Sequence, residues 1–161
     1  MIEELAFLIR RTRQHHAIEH ATLHVMSKQP NVGHLTGISD PFGFTIMGET
    51  DREGVRRGVG EALLRLQAGE KQLAIHQNCG TNLVTTGLLV TLTAMAASYK
   101  RKPLERFTTT LFWVLPMIVV GKVWGMQLQQ YTTLADVADR WVVDVYPVRI
   151  GTLLVYRVQF E

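Results

Sequence analysis

Charge is missing from two long stretches of this chain, and that constrains its fold more than any other feature. No Asp, Glu, Lys or Arg occurs from Gln72 to Tyr99, and none from Phe107 to Gly121; after Lys122 the next charge is Asp136. A soluble domain of this size has one core and interrupts such runs with solvated side chains. As a helix, Leu83 to Tyr99 covers about 26 Å, and adding Gly80 to Asn82 brings it to the ~30 Å of a hydrocarbon core. Phe107 to Met126 holds a single charge, Lys122, near its end, where a lysine can snorkel. Pro116 is expected to kink this second span. Lys100, Arg101, Lys102, Pro103 and Arg106 form the turn between the spans; their charge favours the cytoplasmic side, which would set the N-terminal part outside without a signal peptide, so the orientation stays open, with spans that dip in without crossing as the alternative. Threonines dilute both runs, but a threonine hydroxyl can bond back to its own helix and is tolerated in lipid.

The flanking segments read as a small mixed domain. Residues 2–28 form one helix, with apolar positions at Leu5, Leu8 and Ile9, then Ile18, Ala21 and Val25, ended by Pro30 and Asn31. Residues 34–47 read as a β-hairpin turning through Ser39-Asp40-Pro41-Phe42-Gly43. Thr50-Asp51-Arg52-Glu53 is a capping box opening a second helix, whose apolar face is Val55, Val59, Ala62, Leu63 and Leu66. Gly54 and Gly58 predict close packing against a neighbour. Leu73 to Ile75 reads as a short strand, Thr81 or Asn82 as the cap of the first span, and Leu134 to Arg140 as a short helix. Trp141 to Tyr146 and Thr152 to Phe160 read as strands around Gly151. The expected fold class is α+β: a mixed domain plus a two-helix transmembrane hairpin. Its parts are a cap over residues 1–81, the hairpin over 82–129, and a segment over 130–161 that packs on the cap.

The N-terminus carries acids where a signal peptide needs bases, so no cleavable leader is read there. The net charge of +3 is mildly basic, but no aromatic-basic interleaving or recognition motif points to nucleic acid. Cys79 is the single cysteine, which rules out a disulfide within the chain and leaves a thiol for other chemistry.

That chemistry centres on the first helix. His15-His16-Ala17-Ile18-Glu19-His20 contains H-x-x-E-H from His16 to His20. Positions i and i+4 share one helix face about 6 Å apart along the axis, so two imidazoles can converge on one metal ion. Glu19 beside them can polarise a water, the inverse of the H-E-x-x-H arrangement. A catalytic zinc takes three protein ligands, and His76-x-x-Cys79 can supply the third through either residue. Cys79 lies at the start of a helix, where a thiolate is favoured. His24 is about 12 Å from His16 along the axis and serves around the site with His15 and Thr81 rather than sharing its ion.

The paired motifs H-A-I-E-H at His16–His20 and H-Q-N-C-G-T-N at His76–Asn82 are similar to those of the YqhQ-like family. Those are bacterial membrane proteins described as metal-dependent enzymes, which typically read H-G-A-E-H and then H-P-R-C-G-T-S at the head of a hydrophobic span. The chain resembles still more a related family of small bacterial proteins with H-A-x-E-H-A-T-x-H and H-x-N-C-G-T-N. The resemblance covers roughly residues 15 to 100. It implies a bacterial inner-membrane location and maps His16, Glu19, His20, His76 and Cys79 onto shared positions. The departures are Ala17 and Ile18 for Gly and Ala, Ala21 for Lys, and Gln77-Asn78 for Pro-Arg; the last two remove positive charge near the site.

Together these features predict a membrane-associated, zinc-dependent hydrolase of inverted-zincin type, with a peptidase as one form. The alternative is a non-enzymatic membrane subunit or assembly factor of a larger complex, whose histidines hold a structural metal, a pigment or a haem, or nothing. The expected partners are the lipid membrane and a membrane protein.

Overall fold

A computed structural model of the chain describes residues 1–29 and 32–161; Pro30 and Asn31, expected to end the first helix, lie outside the described residues. The chain divides into two compact units, Met1–His76 with Tyr131–Glu161, and Gln77–Gln130.

In the first unit, α1 (Ile2–Met26) leads to the hairpin β1 (Leu35–Asp40) and β2 (Gly43–Gly48), and then to α2 (Arg52–Gln67). A 3₁₀ turn follows at Lys71–Ala74, and the C-terminal strands are β3 (Val142–Ile150) and β4 (Leu153–Phe160). The four strands form one antiparallel sheet in the order β1-β2-β4-β3. In register, Phe44 faces Val158 and Ile46 faces Tyr156, and all four side chains are buried. This is the period-2 alternation of a sheet with one face on a core. The helices supply the rest of that core through Ala17, Ile18, Ala21, Val25 and Met26 of α1 and the predicted face of α2, Val55, Val59, Ala62, Leu63 and Leu66. The contact between the helices runs through Gly58, where a Cβ would lie 2.5 Å from Met26 Cγ.

The hairpin turn is built as its residues dictate. Asp40 Oδ1 accepts the Phe42 N–H at 2.8 Å, and Gly43 takes φ +151° with Val158 O against the place where a Cβ would stand. Arg157 on β4 grips the Asp40 carboxylate with two hydrogen bonds, at 2.6 and 2.8 Å. Burial would raise the Asp40 carboxyl, but the Arg157 guanidinium and the Phe42 N–H, with a smaller contribution from His15, together hold the group below its ordinary value.

Several local expectations are corrected. The cap of α2 is Asp51, not Thr50: its carboxylate accepts the Gly54 N–H at 2.6 Å, and an anion there also meets the positive end of the helix. Leu73–Ile75 is not a strand, because the segment closes a 3₁₀ turn instead. Leu134–Arg140 is not helical. Its backbone is taken up by α1: Leu134 N–H donates to Arg13 O at 2.9 Å, and Gln14 Nε2 donates to Asp136 O at 2.8 Å and to Asp139 Oδ1 at 2.7 Å. Leu5 and Ile9, apolar positions at the start of the α1 pattern, are 59% and 50% exposed.

The second unit is a pair of helices, α3 (Gly80–Ser98) and α4 (Pro103–Thr132), the last two residues of α4 belonging to the first unit. Cys79, not Thr81 or Asn82, caps α3, its sulfur accepting the Thr81 N–H at 3.4 Å. The connecting turn is shorter than expected, since Pro103 and Arg106 already belong to α4; proline suits a first helical turn, where no N–H partner is needed. Lys100 closes the turn at φ 52°, in the left-handed region. The helices touch through small residues. A Cβ on Gly121 would lie 2.7 Å from Thr86 Cα, and one on Gly125 would lie 2.6 Å from Asn82 Cα. Gln129 Nε2 donates to Asn82 Oδ1 across this contact at 2.9 Å. Both helices are long and apolar enough to cross a membrane, and only 6% and 11% of their most apolar stretches is buried.

Candidate functional site

The histidines of α1 are positioned by carbonyl oxygens. His16 Nδ1 lies 3.1 Å from Thr132 O, and His20 Nδ1 lies 2.7 Å from Ala74 O. A carbonyl can only accept, so both Nδ1 atoms carry the proton and both Nε2 atoms carry the lone pair when the rings are neutral. This is how a metal-binding imidazole is ordinarily held, its remote nitrogen fixed by a second hydrogen bond. The two rings meet edge to face with centroids 4.3 Å apart, and a ring nitrogen of each lies within 4.8 Å of the other. His20 Nε2 is buried without a hydrogen-bond partner among the described residues. A buried imidazole nitrogen left in that condition costs about 1–3 kcal/mol, which an ion bound there would offset.

The segment Ala74–His76 extends the arrangement. Ala74 O receives His20, the next carbonyl, Ile75 O, lies 2.8 Å from His24 Nε2, and the next residue, His76, turns its ring back onto the same stripe. The His76 centroid is 5.7 Å from His20 and 4.9 Å from His24. Burial, reinforced by His20 and His24, pushes the His76 imidazole down to about 4. It is therefore neutral at physiological pH, the form in which imidazole binds a metal.

Glu19 faces strand β1, one turn on from His15 along the side of α1 that meets the sheet. Its buried carboxylate accepts a hydrogen bond from the Ser39 hydroxyl of β1 and packs on Gly37 of the same strand. A Cβ on Gly37 would lie 2.5 Å from Glu19 Oε1 and 2.7 Å from its Cγ, so Gly37→Ala is expected to displace the carboxylate and its Ser39 bond. A loss of about 1–3 kcal/mol should appear in chemical denaturation; unchanged stability would mean that the carboxylate is not fixed by the hairpin.

Of the residues singled out by sequence, His16, His20, His24 and His76 are brought together in the first unit. His15 is turned to the sheet side of α1, its Nδ1 2.9 Å from Asp40 O and its ring stacked on Phe160 at 4.9 Å. Cys79 and Thr81 belong to the second unit, at the head of α3. The groups that sequence reasoning missed are Thr132 O, Ala74 O, Ser39 and Gly37. Backbone carbonyls have no signature in sequence, and Ser39 and Gly37 read only as hairpin residues.

Acid should expose the buried imidazoles. Burial also lowers His15, so both His15 and His76 bind protons less readily in the fold than in the unfolded chain, whose ordinary value is 6.5. Stability of the metal-free protein is then complete above about pH 6.5 and falls as the pH drops from there toward about 4. Denaturation series in chelator across that window test the sign; a flat profile, or one that rises toward acid, would contradict it.

Residues 11–145 match the family described as Domain of unknown function (DUF6391). The chain is 31% identical over 147 residues to an uncharacterised protein of Picosynechococcus sp. (strain ATCC 27264 / PCC 7002 / PR-6), an alignment covering 86% of this chain and 63% of that protein. The chain thus spans less than two thirds of the length of this relative. No solved structure matches it. With most of its length matched, the chain belongs to the DUF6391 family.

Proposed function

We propose that the chain is a membrane-associated, metal-dependent hydrolase, with zinc as the metal and His16 and His20 as the ligands on α1. The observation that carries this reading is the pair of imidazoles fixed through Nδ1 by backbone carbonyls, with His20 Nε2 buried and lacking a hydrogen-bond partner among the described residues. Two imidazoles suit zinc. The third ligand is His76 or Cys79, on the H-x-x-C spacing and the likeness to the YqhQ-like motifs. Zinc would supply Lewis acidity and water that ionises near neutral pH. Glu19 is the general base: it takes the proton from the attacking water and returns it to the leaving group, while Ser39 holds the carboxylate in place. The apolar, mostly exposed α3 and α4 anchor the protein in the membrane.

The test is Glu19→Gln in the detergent-purified full chain, assayed on a fluorogenic peptide library with zinc measured in parallel. The amide keeps the size and the Ser39 contact but cannot accept the proton. Turnover should fall about 10²–10⁴-fold with zinc content unchanged. Activity persisting in this variant removes Glu19 from the mechanism.

A second reading, a non-enzymatic subunit of a membrane complex, is favoured by the aromatic surface of α4, where Trp113 and Trp124 are half exposed. Co-purification of one stoichiometric membrane partner, with no zinc and no turnover, would favour it over the hydrolase.

A further inference from the structure

The second unit contains a pocket of about 430 Å³ whose walls include Asn78, Asn82, Leu83, Thr86, Lys122 and Met126. Lys122 is the one charge between Arg106 and Asp136, and it makes no ion pair among the described residues. Sixteen residues of helix separate it from Arg106, about 24 Å along the axis. If the basic turn of the hairpin lies at one face of a bilayer, Lys122 lies close to the other. An ammonium in an apolar helix pair is costly unless an anion meets it.

Two further features belong to the same place. Thr86 closes the pocket wall where α3 meets α4, its buried Oγ1 turned to Gly121, and the amides of Asn78 and Asn82 line the same space. Leu83 and Met126 are apolar, exposed, and continuous with the exposed apolar surfaces of α3 and α4. The pocket therefore joins a cationic, amide-lined end to an apolar wall whose Leu83 and Met126 are exposed on the surface of the helices. We infer that this pocket binds the headgroup of an anionic phospholipid, with Lys122 paired to the phosphate and the acyl chains lying along Leu83 and Met126. A free phosphate would use the ammonium but not the apolar wall, and a zwitterionic lipid would bring its own cation to compete with Lys122. The inference rests on the membrane-anchor part of the proposed function; Cys79, offered there as a third ligand, also lines this pocket, and the lipid contacts proposed here do not use it.

The experiment titrates the detergent-solubilised full chain with dioleoyl-phosphatidylglycerol and, separately, with dioleoyl-phosphatidylcholine, and reads the affinity of the first bound lipid by native mass spectrometry. The anionic lipid should bind more tightly. Lys122→Gln should weaken it about fivefold with little effect on phosphatidylcholine. Lys122→Arg should restore it, and Lys102→Gln, in the turn, should leave it within about twofold. Equal affinity for the two lipids, an unaffected Lys122→Gln, or full competition by millimolar inorganic phosphate would overturn the inference while leaving the membrane anchor standing. A chain that stays soluble without detergent and does not float with phosphatidylcholine vesicles would overturn the anchor, and the lipid site with it.

Discussion

Zinc at a hundredfold excess over its dissociation constant is expected to raise the unfolding midpoint of the chain by roughly 5–10 °C, and His20→Ala is expected to remove that response. The magnitude follows from linkage. A ligand that binds only the folded state at that excess contributes about 2.7 kcal/mol, and a chain of this size gains about 2–4 °C for each kcal/mol. The sensitivity to His20 follows from its geometry. Its Nδ1 is committed to Ala74 O, so Nε2 is the nitrogen left to bind, and that atom is buried with no hydrogen-bond partner among the described residues. His16→Ala should abolish the shift as well, since its ring is the neighbour 4.3 Å away. Ser39→Ala should leave it intact, because Ser39 bonds Glu19 and not an imidazole. Magnesium and calcium, which take oxygen ligands, should not substitute for zinc.

Chelator separates the two effects of the His20 substitution. Without metal, His20→Ala leaves Ala74 O without its donor, a cost of about 1–3 kcal/mol that is present whether or not zinc is ever bound. With metal, the difference between variant and parent grows by the linkage energy. A His20→Ala variant destabilised equally in zinc and in chelator would identify these histidines as packing residues and remove the metal from the account. His76→Ala and Cys79→Ala, measured the same way, decide which residue is the third ligand.

What the sequence revealed follows the physical reach of each signal. Periodicity located the buried face of α2, because Val55, Val59, Ala62, Leu63 and Leu66 are close enough in the chain to repeat at 3.6 residues. Hydropathy located α3 and α4, because a run without charge is itself the property that matters. The stripe His16-His20-His24 was legible for the same reason. The accessory contacts were not. Thr132 and Ala74 lie 116 and 54 residues from the imidazoles they orient, and they act through backbone oxygen, which every residue carries. The expected helix at Leu134–Arg140 had a suitable local pattern, but Arg13 O and the Gln14 side chain claim its backbone and carboxylate groups, and tertiary hydrogen bonds outweigh weak propensity. Leu5 and Ile9 illustrate the converse: a helical apolar pattern says which residues share a face, not whether anything covers that face.

Gly125→Leu is expected to separate α3 from α4 and cost the hairpin about 1.5–4.5 kcal/mol. Apolar side chains gain little by leaving lipid for one another, so two helices in a membrane are held by close packing and by hydrogen bonds between them. Both meet at this position. A Cβ on Gly125 would lie 2.6 Å from Asn82 Cα, a backbone atom that no change of rotamer can move aside. Displacing α4 there also breaks the bond from Gln129 Nε2 to Asn82 Oδ1, and both side chains are buried. Overpacking accounts for about 1–3 kcal/mol, and the lost hydrogen bond for roughly a further 0.5–1.5. Gly87→Ala is the matched control. It changes a glycine of the same hairpin whose Cβ would meet nothing within 4 Å, so it should be neutral or slightly stabilising. Reversible unfolding in detergent, followed by helical circular dichroism, measures both. If Gly125→Leu unfolds with the parent midpoint, the helices are not joined through Gly125 and Asn82, and the small residues of α4 have no packing role.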